Sequence, residues 1–108
     1  YYLNWTADYP DAENFLYPLF YSAESMTKRN RYTNPLLDDI ILQIQSLSYG
    51  TERTSLVQKA NKILLDEVPW VFLWHKGNYN VTHSSVTGYR NKLVFNAERF
   101  LFLEKKNG

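Results

Sequence analysis

The strongest periodic signal lies in the middle of the chain. Leu37, Ile40, Ile41, Ile44 and Leu47 recur at spacings of three and four, with Asp38, Asp39, Gln43 and Gln45 between them, which predicts a helix with one apolar stripe. Asn34-Pro35 supplies its start, because Asn caps free amide groups and Pro fits the first helical position, where its missing N–H is not needed. The helix is expected to reach about Ser48, with Gly50 as terminator. Thr51-Glu52 then opens a second helix with a stripe of Leu56, Val57, Ala60, Ile63 and Leu64, and Pro69 stops it. The pair predicts a helical hairpin whose stripes face a core.

Either side of the hairpin the period changes. Tyr1 to Thr6 is aromatic and β-prone, and Asp8-Tyr9-Pro10-Asp11 supplies turn residues, so a strand is expected to end in a tight loop with Asp8 at its mouth. Ala12 to Phe20 begins a short helix that Pro18 should break or kink. Tyr21 to Thr33 is polar, carries Lys28-Arg29-Asn30-Arg31, and reads as an exposed loop. Trp70-Val71-Phe72-Leu73-Trp74 is continuously apolar, as for a strand covered on both faces near the centre of a sheet. Tyr79 to His83 is mixed and extended, Val86 to Tyr89 contains a Gly turn, and Leu93 to Phe95 and Phe100 to Leu103 are expected as two final strands. This order predicts an α/β or α+β architecture, with the helical hairpin packed on a mixed sheet.

Composition narrows the partners. A length of 108 residues holds one compact unit at most. Twelve Lys and Arg against eleven Asp and Glu give no net field for nucleic acid or an anionic membrane, so no nucleic-acid partner is expected. Aromatics make up 17% of the chain, which suits cores first and ligand clefts second. There is no cysteine for a disulfide framework or a thiolate metal site. No apolar run approaches the roughly 18 to 20 residues of a membrane-spanning helix. Tyr1-Tyr2-Leu3 opens directly in a strand-like run, which leads us to expect a piece of a longer protein.

Catalytic patterns are thin. Asp8, Asp11 and Glu13 form an acidic cluster of the kind a glycosidase divides between acid and base, but as sequence neighbours at a strand end they fit turn and capping roles better. His75 and His83 sit in no metal-binding pattern, so neither a metal nor a cofactor is expected. No phosphate-binding glycine loop or nucleophile elbow is present. The sequons at Asn4 and Asn80 carry no weight, and Lys28 to Arg31 reads as a solvated loop.

Trp5-Thr6-Ala7-Asp8-Tyr9-Pro10-Asp11, continued by Asn14-Phe15-Leu16, resembles the W-x-A-D-Y-P-D-P-x-N-F-L signature of the oligopeptide- and dipeptide-binding proteins, family 5 of the bacterial extracellular solute-binding proteins. Arg31-Tyr32-Thr33-Asn34-Pro35-Leu36-Leu37-Asp38 is similar to the family's R-Y-x-N-P-x-x-D helix start. Glu52-Arg53 through Ala60, Ile63 and Leu64 to Pro69 resembles its E-R helix block, and Val86 to Tyr89 with Phe102-Leu103-Glu104 resembles its last strands. Ala12 stands where the signature has its second Pro, and Val57 where the helix block has Tyr.

The resemblance implies the carboxy-terminal portion of a two-lobed periplasmic-binding-protein fold, extracytoplasmic, in the periplasm or as a cell-surface lipoprotein. Residues 1–77 would belong to the distal ligand-binding lobe, and residues 78–108 to the hinge crossover and the final strands of the first lobe. The implied partners are a short peptide ligand, the membrane permease of an ABC importer and the missing amino-terminal part of the same protein. The implied role is capture without chemical change, so no enzyme. By position, Asp8 matches the aspartate that holds the α-ammonium group of a bound peptide, Trp5 matches a cleft-lining aromatic, and Thr6 and Ala7 complete the wall. Related members carry nickel complexes, sugars or other small molecules, and a non-peptide solute stays open beside the less favoured glycosidase-like enzyme.

Overall fold

In a computed structural model of the chain, the residues described are 2–75, 77, 79–90 and 99–106. The elements are α1 (Glu13–Phe20), α2 (Ser25–Asn30), α3 (Pro35–Ser46), α4 (Thr51–Glu67), β1 (Val86–Thr87) and β2 (Glu104–Lys105). Where the length led us to expect one compact unit at most, they fall into two, Asp11–Val71, which holds the four helices, and Tyr1–Pro10 with Phe72–Gly108, which holds the two strands. The architecture is α+β.

In the helical unit, the predicted start of α3 is observed. Asn34 is extended and its side chain accepts the Leu37 N–H at 3.0 Å, with Pro35 in the first turn. The stripe Leu37, Ile40, Ile41 and Ile44 is buried, and it meets Ala60 and Leu64 of α4 to form the hairpin. Gly50 does not close α3, which ends at Ser46; it stands immediately before α4. Helix α4 ends at Glu67, where Val68 takes a left-handed conformation and its N–H donates to the Leu64 carbonyl at 3.0 Å. Pro69 follows, in agreement with its expected role as a stop.

The core is completed by α1, which packs on α3 and contributes Leu16 and Phe20. Pro18 lies inside α1 without ending it. In a helix this short it removes one internal hydrogen bond, and the burial of Leu16 and Phe20 offsets that loss. The loop expected between Tyr21 and Thr33 contains α2 instead. Its polar sequence conceals a helix because one small side chain, Thr27, is fully buried while Lys28 and Arg29 stay exposed. Arg31, left-handed at φ 58°, ends it, and Tyr32 N–H donates to Asn30 Oδ1 at 3.0 Å. Asp38 on α3 accepts the Ser22 N–H at 2.8 Å, tying the link between α1 and α2 to the hairpin.

In the second unit, β1 and β2 pair antiparallel, with Val86 opposite Lys105 and Thr87 opposite Glu104. Gly88 follows with φ 83°, and its Cα sits so close to the turn before β2 that an added Cβ would lie 1.6 Å from the Phe102 carbonyl oxygen. Tyr89 meets Phe100 edge-on, and the Arg90 guanidinium lies 3.8 Å from the Phe102 ring centroid. The strand expected at Phe100 to Leu103 is a turn, with pairing starting at Glu104. Leu93 to Phe95 lies outside the described residues.

Two further expected strands take no part in a ladder among the described residues. Residues 2–7 are unpaired by sheet hydrogen bonds, yet their burial alternates: Tyr2, Asn4 and Thr6 are exposed, whereas Leu3, Trp5 and Ala7 are half-buried. Period-two alternation is the strand signature, and what is lacking is a paired neighbour. Val71 to Trp74, expected to be covered on both faces, is exposed throughout, with Val71 at 79%. Trp74 makes a tilted ring contact with Tyr2 at 6.3 Å. Among the described residues no helix is long and apolar enough to cross a membrane.

Candidate functional site

The predicted anchor segment keeps its side chains on opposite sides. Trp5 and Ala7 are half-buried, and Thr6 and Asp8 are exposed, followed by exposed Tyr9 and Pro10. Exposure alternates up to Asp8, which is exposed like Thr6, while Trp5 is half-buried like Ala7.

Asp11 behaves differently. Its side chain is 6% exposed and holds an ion pair with Arg53, itself 12% exposed, at 2.9 Å. The same oxygen accepts the Glu13 N–H at 2.8 Å, and the other accepts the Tyr49 hydroxyl at 2.5 Å. Arg53 Nε donates to the Ile44 carbonyl at 3.0 Å, and its guanidinium lies 4.9 Å from the Tyr49 ring centroid. Burial by itself would raise the Asp11 pKa; the bonds from Tyr49, Arg53 and the Glu13 amide outweigh it and hold the carboxyl below its usual range. Four elements thus converge on one carboxylate: the turn before α1, α1 itself, the α3–α4 link and the first turn of α4. Beside it is an open cleft of ≈ 190 Å³ lined by Ala12, Tyr49, Gly50, Arg53, Thr54 and Val57.

Sequence reading placed Asp11 in an acidic turn and did not connect it with Arg53 or Tyr49. The signal available was that Asp11 closes one family-like block and Arg53 opens another. The acidic cluster itself is dispersed in function. Glu13 accepts from Gln45 Nε2 at 2.8 Å, Asp11 is clamped, and Asp8 is exposed. His83 Nδ1 pairs with the Ser85 hydroxyl at 2.8 Å, and His75 is exposed. Among the described residues no group of three or more His, Cys, Asp or Glu is placed to hold a metal ion.

A second polar cluster joins the ends of the hairpin. Glu67 accepts from the Tyr32 hydroxyl at 2.6 Å and from Asn34 Nδ2 at 2.7 Å. Burial first, then the bond to Glu67 and its charge, push the Tyr32 pKa up to about 12, and the same bonds lower that of Glu67.

Comparison with known proteins supplies the family. The chain is 32% identical over 91 residues to the probable di/tripeptide-binding protein 5 of Pseudomonas aeruginosa, a match covering 82% of this chain and 17% of that protein. It is 30% identical over 95 residues to the probable D,D-dipeptide-binding periplasmic protein DdpA of Escherichia coli, covering 86% and 18%. It is 28% identical over 86 residues to heme-binding protein A of Haemophilus influenzae, covering 79% and 16%. The chain therefore spans less than a fifth of the length of these relatives. No family profile and no solved structure matches it. These relatives are binding proteins rather than enzymes. The similarity runs over most of the chain, at 30% identity or more to two of these relatives, and on that ground the chain belongs to family 5 of the bacterial extracellular solute-binding proteins.

Proposed function

We propose that this chain is the carboxy-terminal portion of an extracytoplasmic solute-binding protein of an ABC importer, and that Asp8 anchors the α-ammonium group of a short peptide. The observation that carries the reading is the exposed Asp8 carboxylate, at the end of an alternating segment, in the position of the family's ammonium-binding aspartate. A carboxylate that is desolvated only when the ligand arrives gains a charge-assisted hydrogen bond, roughly twice as strong as a neutral one. It also rejects ligands with no cation to offer, because their binding would leave the buried charge unpaired. Trp5 supplies apolar wall, and Thr6 and Ala7 keep the backbone accessible for pairing with an extended peptide. In this reading residues 1–77 belong to the distal lobe and residues 78–108 to the crossover and the first lobe, with the remainder of the same polypeptide and the membrane permease as partners.

The test is calorimetry of the whole protein with a tripeptide and its N-acetylated form. The free amine should bind more tightly, and Asp8→Asn should erase the difference. Equal binding of the free-amine peptide by wild type and variant would remove Asp8 from the site. The relative named for heme supports a second reading, a non-peptide solute. Native mass spectrometry of the purified protein would favour it by showing a retained ligand without a free amine.

A further inference from the structure

We propose that α2 is built on a bound water molecule, held by Thr27, Asn30 and Ser22, and that this water lets a polar segment fold as a helix against the core. Three buried polar atoms lie in this stretch of the helical unit: Ser22 Oγ in the link ahead of α2, Thr27 Oγ1 and Asn30 Nδ2. None has a hydrogen-bond partner among the described residues. Buried polar atoms in native proteins are, in the great majority, paired with protein or with ordered water. Each one left bare forfeits its bonds to solvent. Helix α2 offers little to offset three such losses, because Thr27 is its one buried side chain among those described.

The placement of the three atoms suits a single water. Thr27 and Asn30 stand three residues apart on the helix, which brings their Cβ atoms to about 5–6 Å. Their polar atoms do not bond to each other, although both can donate. The Cα–Cβ bond of Thr27 tilts toward the amino terminus of the helix, the end from which Ser22 leads in. A water that accepts from Asn30 Nδ2 and the Thr27 hydroxyl and donates to Ser22 Oγ satisfies all three. It also makes the three or so bonds usual for a buried water. The groups around it are already fixed. Ser22 N–H donates to Asp38 Oδ1 at 2.8 Å, Tyr32 N–H to Asn30 Oδ1 at 3.0 Å, and Lys28 N–H to the Glu24 carbonyl at 3.0 Å. The water therefore meets donors and acceptors that need no further ordering.

The experiment compares the whole protein with its Thr27→Val variant, a change that keeps the shape, deletes the hydroxyl and differs little in helix propensity. A crystal structure of the whole protein should show an ordered water within hydrogen-bond distance of both Thr27 Oγ1 and Asn30 Nδ2. Hydrogen exchange of the Lys28 amide, inside α2, should be about fivefold faster in the variant, the scale of one lost hydrogen bond. The sign of that change is decisive. If the Thr27 hydroxyl were buried bare, valine would remove an unpaired group, and exchange would stay the same or slow. Unchanged or slower exchange overturns the proposal, and so does a crystal structure in which the two atoms meet no common water. Should Thr27→Val not fold, the wild-type crystal structure decides the matter alone.

Discussion

Replacing Asp11 by Ala should destabilise the helical unit by about 2–3 kcal/mol at neutral pH, between the value for an exposed ion pair and the 3–5 kcal/mol for breaking a buried one. The substitution removes the acceptor of three hydrogen bonds at once. Tyr49 is 80% exposed, so its hydroxyl turns to water at little cost. Arg53 is the expensive partner, because its side chain is 12% exposed and, among the described residues, is left with the Ile44 carbonyl as acceptor. The adjoining open cleft admits some water to it, which places the effect below that of a sealed pair. Loss of the acceptor for the Glu13 amide adds about 1 kcal/mol, the usual scale for a missing cap.

The same network fixes the pH dependence. The carboxyl of Asp11 titrates below its unfolded value of about 3.9, so its contribution is fully present above that pH and disappears as pH falls through the lower, folded pKa. Urea unfolding of the whole protein, followed by fluorescence in the Trp70 environment against Phe20, reads the helical unit. The gap between wild type and Asp11→Ala should be largest near pH 7 and should shrink below about pH 3.9. Asp39→Ala, at an exposed position, is the control and should fall within about 0.5 kcal/mol of wild type. A gap under about 0.5 kcal/mol at pH 7, or one that does not change with acid, would refute the view that the clamp is a largely desolvated ion pair.

Two other predictions concern the ends of the two units. Tyr32 favours its neutral form in the fold, so its contribution is present below the unfolded value of about 10 and is lost as pH rises toward the folded value of about 12; phenolate absorbance should show this late titration in wild type and an earlier one in Glu67→Gln, and identical curves would rule out Glu67 as its acceptor. Gly88→Ala forces a Cβ into the Phe102 carbonyl at a positive φ, so the strand pair should open; hydrogen exchange of the Lys106 amide, bonded to the Ser85 carbonyl at 2.8 Å, should accelerate, and unchanged protection would show that the strands can part without losing register.

What was legible in the sequence was what is decided locally. Asn34-Pro35 starts α3 because capping and the fixed proline φ act within one turn, and the stripe from Leu37 to Ile44 follows from the helical period alone. Helix α2 is hard to see in the sequence because the buried side chain among those described, Thr27, is too small and polar to mark a stripe. Strands were half legible. The alternation of residues 2–8 told which side chains share a face, but pairing depends on neighbours far along the chain. The run Trp70 to Trp74 signals burial on both faces, yet Trp70 packs on Phe20 of the core while Val71 to Trp74 are exposed. The Asp11 clamp was illegible for a related reason: Arg53 lies 42 residues away and Tyr49 38, and no local pattern links them.

Two aspartates three residues apart thus receive opposite environments from one turn. A carboxylate that is to meet an ammonium ion, as proposed for Asp8, has to stay accessible to the ligand. A carboxylate that fixes backbone needs its partners always in place. The Asp8-Tyr9-Pro10-Asp11 turn leaves Asp8 exposed, as the proposed ammonium anchor requires, and buries Asp11 against Arg53.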